Sequence, residues 1–205
     1  MKLHPDVKIP ENFLKQEICG HCTIIVHRGY SLYDGPGFAE KKNERIYGDY
    51  DEFSKNIGNL ITKLKINDEP IISVVEKEVL WSPELYEEHS IENSLEISTS
   101  DVLFFNRQIR HPRNKYESEV DYVMRFLLER DVKQIRIAGE WVWWSRNGKG
   151  CVSVVVDKFR DNFEIKAIKG CIFPMIMPIK GVAEFNYLPD VSRYLYKNQI
   201  DVLNH

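Results

Sequence analysis

Short β-branched apolar runs, separated by stretches of helical periodicity, set the strongest constraint on what this chain can fold into. Residues 22–27 read Cys-Thr-Ile-Ile-Val-His and residues 71–75 read Ile-Ile-Ser-Val-Val. Apolar runs of this length suit strands covered on both faces. Between them Phe53, Ile57, Leu60, Ile61 and Leu64 recur at helical spacing among charged residues, which predicts an amphipathic helix over 50–65. The pattern returns with an apolar strand at 102–105 and a helix over 117–130 that carries Val120, Val123, Met124, Leu127 and Leu128 on one side. A strand at 134–138 then ends at Gly139. Residues 151–159 fit helix or strand by pattern alone, because Val154-Val155-Val156 is β-prone. Residues 163–168 alternate as a strand, and 191–203 fit a terminal helix. The stretch 76–100 is polar and punctuated by Ser82-Pro83, which predicts an excursion outside the core. The alternation as a whole predicts a three-layer α/β/α domain on a mostly parallel sheet, Rossmann-like in plan. Right-handed crossovers bring the carboxyl ends of all its strands to one edge, where ligands bind in such folds.

A length of 205 residues suits one domain, expected over 19–205 behind a polar N-terminal arm over 1–18 that carries Pro5 and Pro10. A hydrophobic fraction of 43% is enough to build a core without disulfides or metal. The formal net charge is −3, and this excludes a broadly basic nucleic-acid binder. No apolar leader follows Met1, and the longest apolar tract, 171–179, is interrupted by Pro174 and Pro178, well short of the ~18 residues of a membrane span. The expectation is a cytoplasmic protein with neither membrane nor nucleic-acid partner.

Four cysteines in a reducing compartment are buried, catalytic or metal-binding rather than a disulfide scaffold. Cys19-Gly20-His21-Cys22 has the C-x-x-C spacing of thiol–disulfide oxidoreductases. That chemistry needs the first thiol at a helix N-terminus, yet here the motif precedes a strand. A zinc half-site is a further alternative, though no second C-x-x-C or C-x-x-H accompanies it. The bland alternative is two small residues opening a strand. Cys151 has a better setting for chemistry. It follows a strand end and a loop and opens the next helix, where the positive end of the macrodipole favours thiolate. A cysteine packed against the sheet is the alternative there.

The order of these segments resembles the isochorismatase-like cysteine hydrolases. The first strand at 23–27, the helix and Pro70-started second strand, the third strand at 101–105, and Gly139 followed by Cys151-Val152 fall in that family's sequence of elements. The resemblance spans about residues 22–175 and implies Cys151 as nucleophile, no cofactor and no metal. It also has departures. His27 stands where the family's aspartate base is expected, and Asn106 or Arg107 stands where its lysine is expected. The loop between Gly139 and Cys151 is longer than the pattern and contains Trp141, Trp143 and Trp144.

Two functions follow. In one, the site is rebuilt: His27 acts as base, Arg107 supplies the positive charge, and Cys151 attacks a small amide, imide or ester. In the other, the fold is a catalytically silent binding or assembly module. The tryptophans can line a pocket for a flat substrate or fill an interface of a homo-oligomer, where aromatics are enriched. Arg110, with His111, Arg113 and Lys115, forms a basic stretch able to hold a carboxylate or phosphate, or simply a solvated loop.

Overall fold

The computed structural model describes residues 7–16, 18, 20–27, 44–47, 50–76, 91–99, 118–140, 150–178 and 191–204. Seven of its strands form one sheet: β1 (Val7–Lys8), β2 (His21–Val26), β4 (Ile71–Glu76), β5 (Leu95–Thr99), β6 (Gln134–Glu140), β7 (Glu164–Phe173) and β9 (Asp201–Leu203). Their order across the sheet is β1-β5-β4-β2-β6-β7-β9. Every pairing is parallel except that of β1 with β5. A separate antiparallel ribbon joins β3 (Glu44–Tyr47) to β8 (Met175–Pro178).

The helices are α1 (Glu11–Lys15), α2 (Tyr50–Ile66), α3 (Glu119–Leu128), α4 (Cys151–Phe159) and α5 (Val191–Lys197). They cover both sheet faces, and the core divides accordingly. On one face Tyr50, Phe53, Ile57, Leu60, Ile61 and Leu64 of α2 pack with Ile25, Ala138 and Phe173. On the other, Val120, Val123, Phe126 and Leu127 of α3 and the valines of α4 pack with Cys22, Ile24, Val26 and Ile137. The strict alternation of Ile24, Ile25 and Val26 between these two clusters explains why β2 reads as an unbroken apolar run. Each face removes several large side chains from water, at about 25 cal/mol per Å² of apolar surface.

Residues 7–15, within the arm expected over 1–18, supply the edge strand β1 and a short helix whose Phe13 is buried against Phe126, ring centroids 6.2 Å apart. The strand beside β4 is Leu95–Thr99, inside the stretch expected to be an excursion, while 102–105 lies outside the described residues. Leu95 and Ile97 alternate with polar neighbours and are fully buried, a signal of period two that the polarity of the surrounding 25 residues conceals. The expected terminal helix also stops short. Gln199 takes the left-handed conformation (φ 55°) and the Ile200 N–H donates to the Leu195 carbonyl, a Schellman-type end that releases the chain into β9. Asp68 after α2 and Asp131 after α3 end their helices in the same way, with Glu69 N–H donating to Leu64 and Val132 N–H to Leu127.

At the amino edge of the sheet, Glu69 gathers three partners. Arg136 Nη1 donates to its Oε2 at 2.9 Å, His21 Nε2 lies 3.2 Å from the same oxygen, and Asn67 Nδ2 donates to Oε1 at 3.2 Å. Burial alone raises the Glu69 carboxyl, but the hydrogen bonds of Asn67 and His21 and the charge of Arg136 outweigh it and hold the group below the usual carboxylate range. A depressed folded-state pKa contributes stability above the unfolded value of about 4.3, and that stability is lost as pH falls through the folded value. Glu69→Gln is therefore expected to cost about 1–2 kcal/mol near neutral pH and to flatten the decline of melting temperature below about pH 4.5, measured by thermal denaturation across pH. An equal acid dependence in wild type and variant would contradict this.

Candidate active site

The strand order reverses at β2: its successors β4 and β5 lie on one side, and β6, β7 and β9 on the other. The carboxyl ends of β2 and β6 therefore flank a topological switch point, the crevice that open α/β sheets use for ligands. The last residue pair across it is Val26 with Gly139. Gly139 has φ +127°, and a Cβ built there would lie 2.1 Å from the Val26 carbonyl oxygen and 2.6 Å from its nitrogen. The two backbones approach this closely only because residue 139 has no side chain. Between Ile137 and Gly139 the pairing of β6 with β7 shifts register, so that Gly139 faces Ile172 where Ile137 faces Ala167. This bulge is held from outside by Asn56 of α2, whose Nδ2 donates to the Gly170 carbonyl at 3.2 Å.

His27 follows Val26 with φ 53° and is fully buried. Its N–H donates to the Val74 carbonyl at 3.1 Å, so the end of β2 is tied to β4 on one side and to Gly139 on the other. A left-handed conformation in a buried histidine at a strand end costs free energy and is the kind of strain that collects at functional sites.

Glu140 ends β6 and is also fully buried. A carboxylate in such a place needs donors. Tyr50, the first residue of α2, donates from its hydroxyl to Glu140 Oε1 at 3.2 Å. Its ring is fixed by Phe173 (centroids 5.1 Å apart, edge to face) and Phe53 (5.6 Å).

Cys151 is the first residue of α4. Gly150 caps the helix in an extended conformation, with the Val154 N–H donating to its carbonyl at 3.0 Å and no side-chain cap from residue 150 itself. The residue pattern at 151–159 suits helix or strand; packing decides for helix, with Val152, Val155, Val156 and Phe159 turned into the core. Cys151 is itself 1% exposed and belongs to that same cluster. The amides of a helix's first turn point along its axis toward the N-terminus, which gives this end of α4 a partial positive charge and donors suited to an anion.

The structure thus brings His27 and Cys151 to the same edge, one at the end of β2 and the other at the start of the helix that follows β6, the neighbour of β2. Asn106, Arg107, Arg110, Trp141, Trp143 and Trp144 lie outside the described residues. So does Cys19. Cys22 stands inside β2, fully buried, and burial pushes its thiol up to about 12 despite the charge of Arg136. It is the second thiol of the C-x-x-C spacing; the first, Cys19, is the one that redox chemistry needs at a helix N-terminus. Neither Glu140 nor Tyr50 stands out in the sequence. The one signal for Glu140 is a lone charge directly after the glycine that ends an apolar strand; Tyr50 merges with the acidic start of α2.

No protein-family model matches the chain, and no curated protein matches it in sequence. Solved structures do match in fold. A pyrazinamidase of Pyrococcus horikoshii in complex with zinc aligns with TM-score 0.53 and 13% identity over 91% of this chain and 99% of its own. A nicotinamidase from Staphylococcus aureus aligns with TM-score 0.51 and 14% identity over 89% and 96% of the two chains. An isochorismatase family protein aligns with TM-score 0.54 and 11% identity over 91% and 99%. The chain has an isochorismatase-like fold, as the order of its segments implied. Zinc accompanies the first of these structures; among the described residues here no three His, Cys, Asp or Glu side chains gather in a way that could hold a metal ion.

Proposed function

We propose that this protein is a cysteine hydrolase of a small amide, imide or ester. What supports this best is the convergence of Cys151, at the N-terminus of α4, and His27, at the end of β2, on the crevice where the strand order reverses. His27 takes the proton from the Cys151 thiol. The thiolate adds to the substrate carbonyl carbon, and the electron pair of the C=O bond moves to oxygen, where the first amides of α4 receive it. Collapse of this intermediate expels the amine or alcohol, which leaves with the proton held by His27. Water then gives a proton to His27 and its oxygen to the thioester carbon; the carbon–sulfur bond breaks and the thiolate is restored. The similarity to structures named pyrazinamidase and nicotinamidase favours a flat primary amide as the substrate class.

The burial of Cys151 among the valines of α4 favours a second reading, the silent module, in which this thiol only fills space. Incubation with a panel of small primary amides, nicotinamide and pyrazinamide among them, separates the two. Ammonia release at rates above a Cys151→Ser blank supports the hydrolase; equal rates in both proteins across the panel favour the module.

A further inference from the structure

The hydrolase mechanism gives Glu140 no task, yet a fully buried carboxylate at the mouth of the crevice is costly to retain. Its placement is specific. Gly139 and Val26 are the last pair in register, and Glu140 and His27 are the next residue on each strand. Ala138 and Ile25 both pack against α2, and Glu140 and His27 stand two residues beyond them. Alternation carries Glu140 back to the α2 face, where the Tyr50 hydroxyl meets it. The missing Cβ at residue 139 holds the two strand ends at their closest approach. Two buried titratable residues therefore follow the last registered pair on adjoining strands, and one of them is anchored by a tyrosine.

We infer that Glu140 is a positioning residue that acts through His27. Its carboxylate, fixed by Tyr50, stabilises the imidazolium formed when His27 accepts the Cys151 proton, so that Cys151, His27 and Glu140 work as nucleophile, base and orienting acid. The triad principle requires no sequence order, only that the acid stabilise the protonated base. This inference rests on the hydrolase reading above. Where the resemblance implies an aspartate base, it places a histidine backed by a carboxylate. Among the described residues, the other titratable ones placed at this edge are Tyr50, Asp51 and Glu52 at the start of α2, Cys151 at the start of α4 and Glu76 at the end of β4.

The test is the rate at which iodoacetamide alkylates Cys151, followed by peptide mass spectrometry from pH 5 to 9 in the full chain. Near neutral pH, Glu140→Gln and His27→Ala are each expected to slow labelling about tenfold, and the double variant no more than either single one, because groups acting as a unit are not additive. Glu140→Asp should restore part of the rate and of the pH profile. Tyr50→Phe, which removes one hydroxyl from the core, should slow labelling by about two- to threefold, on the order of one hydrogen bond's modest net worth. It carries the test if Glu140→Gln loses its cooperative melt. An unchanged rate and profile in the tested variant, or a double variant slowed by the product of the single effects, would overturn the role of Glu140. Wild-type Cys151 reacting no faster than Cys22 would instead overturn the hydrolase reading beneath it.

Discussion

Gly139→Ala is expected to abolish the folded state. The added Cβ falls 2.1 Å from the Val26 carbonyl oxygen and 2.8 Å from its carbon, so relief requires separating β2 from β6 at the centre of the sheet. The clash is with backbone, which has no rotamer through which to escape. A φ of +127° adds strain for any L-residue independently of space. Left-handed or otherwise rare conformations alone cost about 1–3 kcal/mol, and a buried backbone clash adds to this, so the loss should exceed about 4 kcal/mol, a large share of the 5–15 kcal/mol by which domains are stable. Circular dichroism and thermal denaturation should show no cooperative transition. Gly20→Ala is the natural comparison: that glycine also has positive φ (74°), but a Cβ at residue 20 would meet no atom within 4 Å, so only the conformational cost of about 1–2 kcal/mol applies. Equal effects of the two substitutions would contradict the close approach of the strands.

Cys151→Ser should reduce amide turnover by at least about a thousandfold while lowering stability by only about 1–3 kcal/mol, the cost of a hydroxyl buried at the first turn of α4. A hydroxyl is a far weaker nucleophile than a thiolate, and the helix terminus that favours thiolate does little for an alkoxide. His27→Ala should cost less, on the order of the 10²- to 10⁴-fold that general-base assistance contributes. A ranking with His27→Ala worse than Cys151→Ser would place the chemistry elsewhere. Loss of stability in Cys151→Ser matching the loss of turnover would identify a packing cysteine.

Much of the fold is legible in the residues. Ile24, Ile25 and Val26, and Ile71 with Val74, announce strands buried on both faces because a parallel sheet leaves them no solvent side. Phe53, Ile57, Leu60, Ile61 and Leu64 announce one helix face because their spacing has no other use. β5 is harder to see. Its buried apolar residues among those described are Leu95 and Ile97, and two apolar residues among polar ones do not outweigh a long hydrophilic surround. β9 is hidden for a different reason: its three residues pair with β7 only because Gln199 turns left-handed, and nothing in a glutamine requires that. At the candidate site, His27 and Cys151 are visible through their place at a strand end and a helix start. Glu140 is not, since its meaning comes from Tyr50, 90 residues away in sequence, and from a strand pairing that no local pattern encodes.

The proposed nucleophile Cys151 is buried, yet it opens α4 at the crevice and should react differently from the other buried cysteines. Cys22 and Cys171 provide internal standards in the same chain: both are fully buried, and burial pushes both thiols up to about 12. Iodoacetamide labelling of the native protein, read by peptide mass spectrometry as a function of pH, compares all three at once. Cys151 is expected to be modified well before Cys22 and Cys171, through a midpoint below the free-thiol value of about 8.5. Labelling of the three at one common slow rate, set by global unfolding, would show that Cys151 is packed like the others and is not the nucleophile.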